Sequence, residues 1–481
     1  MGGERLTREQ QAMSDYRKSD IEDVNWEQVA EWDKQYYLHG PQAAGEVNIA
    51  TIASMDGNWF TLADGTRMLD FQSQLISDSF GHRHPAIHAK IEEAMSRTGH
   101  AFYGFANQYR AEAAKLIIEG LFPGENWAGR VRVFASGTDA VESAVNMARL
   151  HTGRSGVLTQ AHSFHGMVMG STMMRGYRNN ITHRDDLETV RDTPGFPPQG
   201  YIPVPGPEHE DYHVIEGKAL PSLAATEELI RAIGPENIAA MIAEPMLGAG
   251  GTFPHPQYMA DMAAMLKNYG ILWISDEVIT GIGRLGEWFG YQTTPGVAPD
   301  LIACGKGLTG CVMPVGAVIA SKEIAEPFEN ARWWSGSTWD GHPLVCAAIV
   351  GALEWAFEND ILQSVRQKGA YLNSRLNELK DIHDCVGRVA GRGLYQTLDL
   401  VGKDGSPIIE ADRFHAFTGD LASHPNSMIY AECSSHGVYL GGYTPNTVKV
   451  GPPFTITSDE IDLAMDALDS ALTKVEDKWL K

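Results

Sequence analysis

The chain has 481 residues, with 38 Lys or Arg against 61 Asp or Glu, for a formal net charge of −23. An apolar fraction of 43% fits a globular protein and is too high for a disordered one. Nucleic acid and anionic membrane surfaces are excluded as partners, because both call for a surplus of Lys and Arg.

The five cysteines, Cys304, Cys311, Cys346, Cys385 and Cys433, form no CxxC pair. Neither a disulfide framework nor a thiolate zinc site is expected, and the thiols read as reduced and mostly buried. The first residues are polar and lack the apolar core of a secretory signal. No stretch approaches the roughly 18 apolar residues of a membrane span. The expectation is a cytoplasmic enzyme.

In chain order, residues 1 to about 45 are charged and predict a helical arm. Residues 46–72 alternate apolar and polar around the turns Asp56-Gly57 and Asp64-Gly65, which predicts a small antiparallel unit. Apolar runs then recur at 131–135, 156–158, 238–242, 271–275, 301–304 and 315–319, with helical patterns between them. That alternation predicts an α/β fold: a mostly parallel sheet covered by helices on both faces. Residues 176–222, rich in Pro, Gly, His and Glu, read as a long loop insertion. A helix near 341–358 leads to strands near 394–400, 438–441 and 447–451. A last helix starts near 458, with Ser458 as its cap. The domain boundaries are drawn at 1–74 (arm and part of a small domain), 75–340 (large domain) and 341–481 (the rest of the small α+β domain, built from both chain ends).

Ligands of open parallel sheets bind beyond the carboxyl ends of the strands. Three such ends carry chemistry here. Ser136-Gly137-Thr138-Asp139 follows the run at 131–135 and opens a helical pattern. It is either an ordinary turn or a phosphate site made by a helix N-terminus. Asp276-Glu277 follows the run at 271–275, as a cap, an ion pair, or a buried carboxylate that holds a cation. Gly305-Lys306-Gly307 follows the run at 301–304, and Lys306 is either a loop lysine or a desolvated nucleophile. Gly281-Ile282-Gly283-Arg284-Leu285-Gly286 matches a dinucleotide fingerprint literally but opens no helix. His82-Arg83-His84 and His162-Ser163-Phe164-His165 lack the HExxH spacing, so no metal site is expected. Phe102 and Tyr103 read by default as core.

These features, in this order, resemble the class III (ω-) aminotransferases of pyridoxal phosphate fold type I, from about residue 46 to 475. The segments that carry the resemblance are Asp70-Phe71 through Gly81-His82-Arg83-His84-Pro85, Ser136 to Glu142, Phe164-His165-Gly166, and Glu244-Pro245 with Gly250-Gly251. They continue with Asp276-Glu277-Val278 through Arg284, Pro299-Asp300 to Gly305-Lys306-Gly307-Leu308, Gly336-Ser337-Thr338 before His342-Pro343-Leu344, Gly391-Arg392-Gly393-Leu394, and Pro452-Pro453. The family usually has Tyr where this chain has Phe164.

The resemblance implies pyridoxal 5'-phosphate as cofactor and assigns roles. Lys306 would bond the cofactor and move a proton, and Asp276 would pair with its ring nitrogen. Phe164 and Val278 would cover the two ring faces. Ser136, Gly137 and Thr138 would hold the phosphate, and Thr338 would reach the phosphate of a neighbouring subunit in a homodimer, with a tetramer left open. His165 and Glu244 are further cofactor-site positions. The implied reaction moves an amino group from a primary amine or ω-amino acid to a small 2-oxo acid, foremost pyruvate, by a ping-pong route. A pyridoxal phosphate aminomutase or decarboxylase is the alternative on the same scaffold, and a nicotinamide oxidoreductase is the alternative from another class.

The sequence departs from the family at one point. The arginine that binds a substrate carboxylate in many members falls at Gly441 or Gly442, and the acid that masks it in glutamate-using branches falls at Ala249. Arg175, Arg178 or another loop cation is the candidate substitute, the other reading being that both arginines belong to a solvated loop.

Overall fold

The computed structural model describes residues 24–39, 50–174, 200–207, 220–409, 424–442 and 444–481. The chain divides into two compact units, one comprising residues 1–55 and 59–68, the other 56–58 and 69–481. In the first, the helix Trp26–Tyr36 is capped by Asn25, whose side chain accepts from the Gln28 N–H at 3.0 Å. It buries none of its residues. The rest of the predicted arm lies outside the described residues. Strands β1 (Ile52–Asp56), β2 (Trp59–Leu62) and β3 (Arg67–Asp70) follow.

The second unit is organised by a seven-stranded sheet. Its members are β4 (Ala128–Phe134), β5 (Gly156–Gln160), β6 (Tyr201–Val204), β7 (Ile238–Ala243), β8 (Leu272–Asp276), β9 (Leu301–Gly305) and β10 (Gly316–Ser321). Their order is β4-β10-β9-β8-β7-β5-β6. Strand β10 is antiparallel to both its neighbours, and every other pairing is parallel. Hence β4, β5, β7, β8 and β9 all end at the same edge. The inner strands β7 and β9 are near-continuous apolar runs because both faces are covered: every residue of each is buried. The helix Gly137–Thr152 lays Ala140, Val141, Ala144, Val145 and Ala148 against Ile242, Ile274 and Val318 in one core.

A smaller sheet pairs β11 (Val386–Arg392), β12 (Tyr395–Leu400) and β14 (Thr447–Val450), all antiparallel. Strand β13 (Val438–Tyr439) runs parallel to Leu69 and Asp70, which joins a segment near the start of the chain to one near its end.

Four expectations need correction. The segment 176–222 is not loop throughout. It contains β6, the edge strand of the large sheet, and Pro203 inside it is tolerated because an edge strand leaves N–H groups unpaired. Strand β11, its apolar pattern broken by Gly387, Arg388, Gly391 and Arg392, went unannounced. The last helix, Ser458–Trp479, is capped by Thr457 rather than Ser458, in a capping box with Glu460. Phe102 and Tyr103 are not core but half exposed, at 53% and 49%. Four of the cysteines are buried, and Cys311 is exposed. No helix among the described residues is long and apolar enough to cross a membrane.

Candidate active site

Five strand ends deliver the polar groups to one edge of the large sheet. Ser136 follows β4, His165 follows β5, Glu244 follows β7, Asp276 ends β8, and Lys306 follows β9. Each comes from a different strand, so the group is assembled by the parallel topology and not by any local motif.

Asp276 is buried at the end of β8. Its Oδ2 lies 2.7 Å from Nδ1 of His165, and its Oδ1 accepts from the Val278 N–H at 3.1 Å. Nε2 of His165 is buried with no hydrogen-bond partner among the described residues. Neighbouring Glu277 behaves differently. Its carboxylate accepts from Ser275, Thr280 and the N–H groups of Gly290 and Tyr291. With its oxygens taken up by the loop 280–291, Glu277 is a structural staple, while Asp276 belongs to the site.

Lys306 sits on a strained backbone, φ +38°, in the left-handed region that non-glycine residues avoid. No hydrogen bond to its amine is found among the described residues. Burial holds the ammonium below the usual lysine range, while charge on Cys311, Glu244 and Asp276 opposes that shift. An amine that desolvation holds below the usual lysine range, with no hydrogen bond among the described residues, is a nucleophile in waiting. Packing enforces the glycines here: a Cβ on Gly307 would press on the Ser79 hydroxyl at 3.1 Å.

Ser136 caps the helix Gly137–Thr152, its hydroxyl accepting from the Asp139 N–H at 3.1 Å and donating to the Asp139 carboxylate at 2.8 Å. The first-turn N–H groups of Gly137 and Thr138 have no acceptor inside the helix, which makes an anion site. The turn is crowded on three sides. A Cβ at Gly137 would sit 3.1 Å from both methyl groups of Val278, one at Gly166 would strike the Thr138 hydroxyl, and one at Gly316 would run into the Ser136 carbonyl. Val278 and the loop of Gly166 thus border the turn, and Phe164, on that second loop, is 36% exposed. Thr338 stands exposed on the segment that Asp340 holds by accepting from Arg132 at 2.8 Å and from the Ser337 N–H at 3.1 Å. Arg175 and Arg178 lie outside the described residues.

Three groups escaped the sequence reading. The first is Lys449 on β14. Its Nζ donates to the Ala249 carbonyl at 2.9 Å, and burial, then the charge of Lys306, brings it down to about 8. Its stem passes Gly442: a Cβ there would meet the Lys449 Cε at 3.3 Å. The position where an arginine is absent therefore adjoins a lysine from another strand. The second is Arg284, completely buried, which donates to the carbonyls of Leu394 at 3.0 Å and Pro452 at 2.6 Å and to the Ser79 hydroxyl at 3.0 Å. The third is His82, flanked by Asp70 at 3.0 Å and by Asp78. In the sequence Arg284 stood only within the glycine-rich segment 281–286 and His82 only within a histidine cluster without metal spacing, and neither position carried a signal of its role.

The donor set suits pyridoxal phosphate. It combines an amine with no partner among the described residues, a carboxylate one strand away, a helix N-terminus with free N–H groups, and an aromatic residue on an adjoining loop. The sequence profile of the family Aminotransferase class-III matches residues 42–472. An acetylornithine aminotransferase of Corynebacterium efficiens is 30% identical over 423 residues, covering 87% of this chain and 91% of that protein. Among solved structures, an S-selective transaminase from Bacillus megaterium is 36% identical with a TM-score of 0.90, covering 95% of this chain and all of the other. An S-selective transaminase from Arthrobacter sp., solved with alanine bound, is 36% identical with a TM-score of 0.89, covering 95% of this chain and 99% of the other. The chain belongs to the class III aminotransferases, has the pyridoxal phosphate fold type I, and uses pyridoxal 5'-phosphate as cofactor.

Proposed function

We propose that this class III aminotransferase moves an amino group from a primary amine or ω-amino acid to a small 2-oxo acid, with pyruvate as the acceptor, in two half-reactions. The observation that carries the reading is the Lys306 amine, desolvated, without a hydrogen bond among the described residues, and within the field of Asp276 and Glu244. Alanine in the Arthrobacter structure, the amino counterpart of pyruvate, supports the choice of acceptor.

Bound pyridoxal phosphate supplies an electron sink for the bond broken beside the amino group. Lys306 Nζ holds the cofactor and then takes the proton from the donor carbon, which its lowered affinity for protons permits. Asp276 keeps the ring nitrogen protonated, and His165 Nδ1 fixes the Asp276 carboxylate. Gly137 and Thr138 bind the phosphate, with Ser136 shaping the turn. Phe164 and Val278 cover the ring faces. Thr338, exposed on its own chain, serves the phosphate of the second subunit of a homodimer. Lys449 receives the carboxylate of the 2-oxo acid in place of the arginine missing at Gly441 and Gly442. The enzyme works in the cytoplasm.

The test is the visible spectrum of the yellow holoenzyme while single amines are added without acceptor: an aryl-ethylamine, a diamine, β-alanine, taurine and alanine. Bleaching by a donor and recolouring by pyruvate are expected. A protein that no amine bleaches, or that turns over substrate without any oxo acid, overturns the reading in favour of a mutase.

A further inference from the structure

Glu244 stands at the end of β7 with both carboxylate oxygens taken by backbone. Oε1 accepts from the Phe164 N–H at 2.9 Å, and Oε2 accepts from the Gly248 N–H at 2.9 Å. The residue is 4% exposed, and burial pushes its carboxyl up to about 7. A carboxylate in such a place costs stability unless it is hydrogen-bonded, and these two N–H groups supply the bonds. Its backbone is held as well, since its N–H donates to the Gln160 side chain at 3.2 Å at the end of β5.

The two arms reach different loops. Phe164 is on the loop after β5, and Gly248 is on the loop after β7. The second loop is anchored in the small sheet: the Gly248 carbonyl accepts from the Tyr395 hydroxyl at 2.7 Å, and the Ala249 carbonyl from Lys449 at 2.9 Å. A Cβ on Gly248 would collide with Ile279, so the loop passes close by with no slack. A single carboxylate therefore ties the backbone of Phe164 to β12 and β14.

We propose that Glu244 is a positioning residue, a two-armed clamp that holds the Phe164 ring over the cofactor without itself touching it. The proposal rests on the reading that Phe164 covers the cofactor ring. The alternative role, a direct cofactor contact, leaves the two backbone bonds unexplained. Glu244→Gln keeps the shape but turns an amide nitrogen toward one of the two N–H groups, so one arm opens.

The experiment follows cofactor release from the holoenzyme, by loss of its colour on dilution, in wild type, E244Q, F164A and the double variant. E244Q and F164A are each expected to speed release about tenfold, and the double variant to match F164A alone, because the clamp acts only through the ring. E244D keeps the charge but spans one arm at most, so it is expected to match E244Q, and it takes its place where E244Q does not fold. The visible circular dichroism of the bound cofactor, which reports ring orientation, is expected to change alike in all of them. Effects of E244Q and F164A that multiply toward a hundredfold overturn the clamp, as does release at the wild-type rate in E244Q or E244D. If F164A alone releases at the wild-type rate, it is the Phe164 reading that falls, and the clamp with it.

Discussion

Nδ1 of His165 lies 2.7 Å from Oδ2 of Asp276, with both side chains closed off from solvent. The other ring nitrogen has no hydrogen-bond partner among the described residues. Replacing His165 by Leu is expected to lower kcat by about tenfold to a hundredfold, the worth of a hydrogen bond to a charged group, with the donor KM little changed. Asp276→Asn is expected to cost more, roughly a hundredfold to a thousandfold, because it removes the charge itself. Single-turnover bleaching by a good donor measures both. A His165→Leu enzyme with wild-type single-turnover rates would show that the contact is idle.

Lys449 gives a test that separates the two substrates. Lys449→Met is expected to raise the KM for pyruvate about tenfold or more while bleaching by an uncharged amine proceeds at its normal rate. The sign with pH follows from its value of about 8. The ammonium is present below pH 8 and lost above it, so the pyruvate KM of the wild type rises between pH 7 and 9, and that rise disappears in the variant. Steady-state kinetics at several pH values, with the donor half-reaction as control, decide it.

The His82 ring ties stability to alkaline pH. Burial acts to push it down, but the hydrogen bonds and charges of Asp70 and Asp78 prevail and lift it from 6.5 to about 9. A group whose folded value exceeds its unfolded value stabilises fully below the lower one, and this gain is lost as pH rises from 6.5 through 9. Thermal midpoints of the protein are therefore expected to fall across that window, and His82→Gln to flatten the fall while lowering the plateau. An equally steep fall in His82→Gln would assign it elsewhere.

Among the described residues Arg284 is the largest completely buried side chain, and its guanidinium stacks 4.7 Å from the centre of the Phe454 ring. Burial brings it down to about 9, far below an ordinary arginine. Arg284→Met leaves two carbonyls and the Ser79 hydroxyl without their donor. A loss of about 3–5 kcal/mol is expected, the usual cost of removing one member of a buried charged network. Urea unfolding of the apoprotein measures it, and a loss under 1 kcal/mol would contradict the geometry.

Much of this was legible before any coordinates. The runs at 238–242 and 301–304 announced buried parallel strands because a strand covered on both faces has no polar positions to break its pattern. Gly305-Lys306-Gly307 and Ser136-Gly137 could then be placed by the rule of strand ends. Lys449 was invisible for the opposite reason. In Thr447-Val448-Lys449-Val450 it occupies an alternating position that reads as the wet face of a strand, and only the pairing of β14 with β12 and the nearness of Ala249 put that face inside. Strand β6 was hidden by Pro203, and although the resemblance singled out Asp276, the stapling of Glu277 to the 280–291 loop showed only in where its carboxylate points.

The backbone of Lys306 has a consequence for engineering. A residue at φ +38° costs about 1 kcal/mol or more that glycine would not, and the buried amine adds a desolvation cost of its own. Evolution toward a hardier chain and evolution toward a working one therefore pull in opposite directions at this codon. A selection for heat resistance alone would drift to Lys306→Gly and yield a tougher protein that has lost its trade, so any stabilisation campaign on this scaffold must screen for turnover in every round.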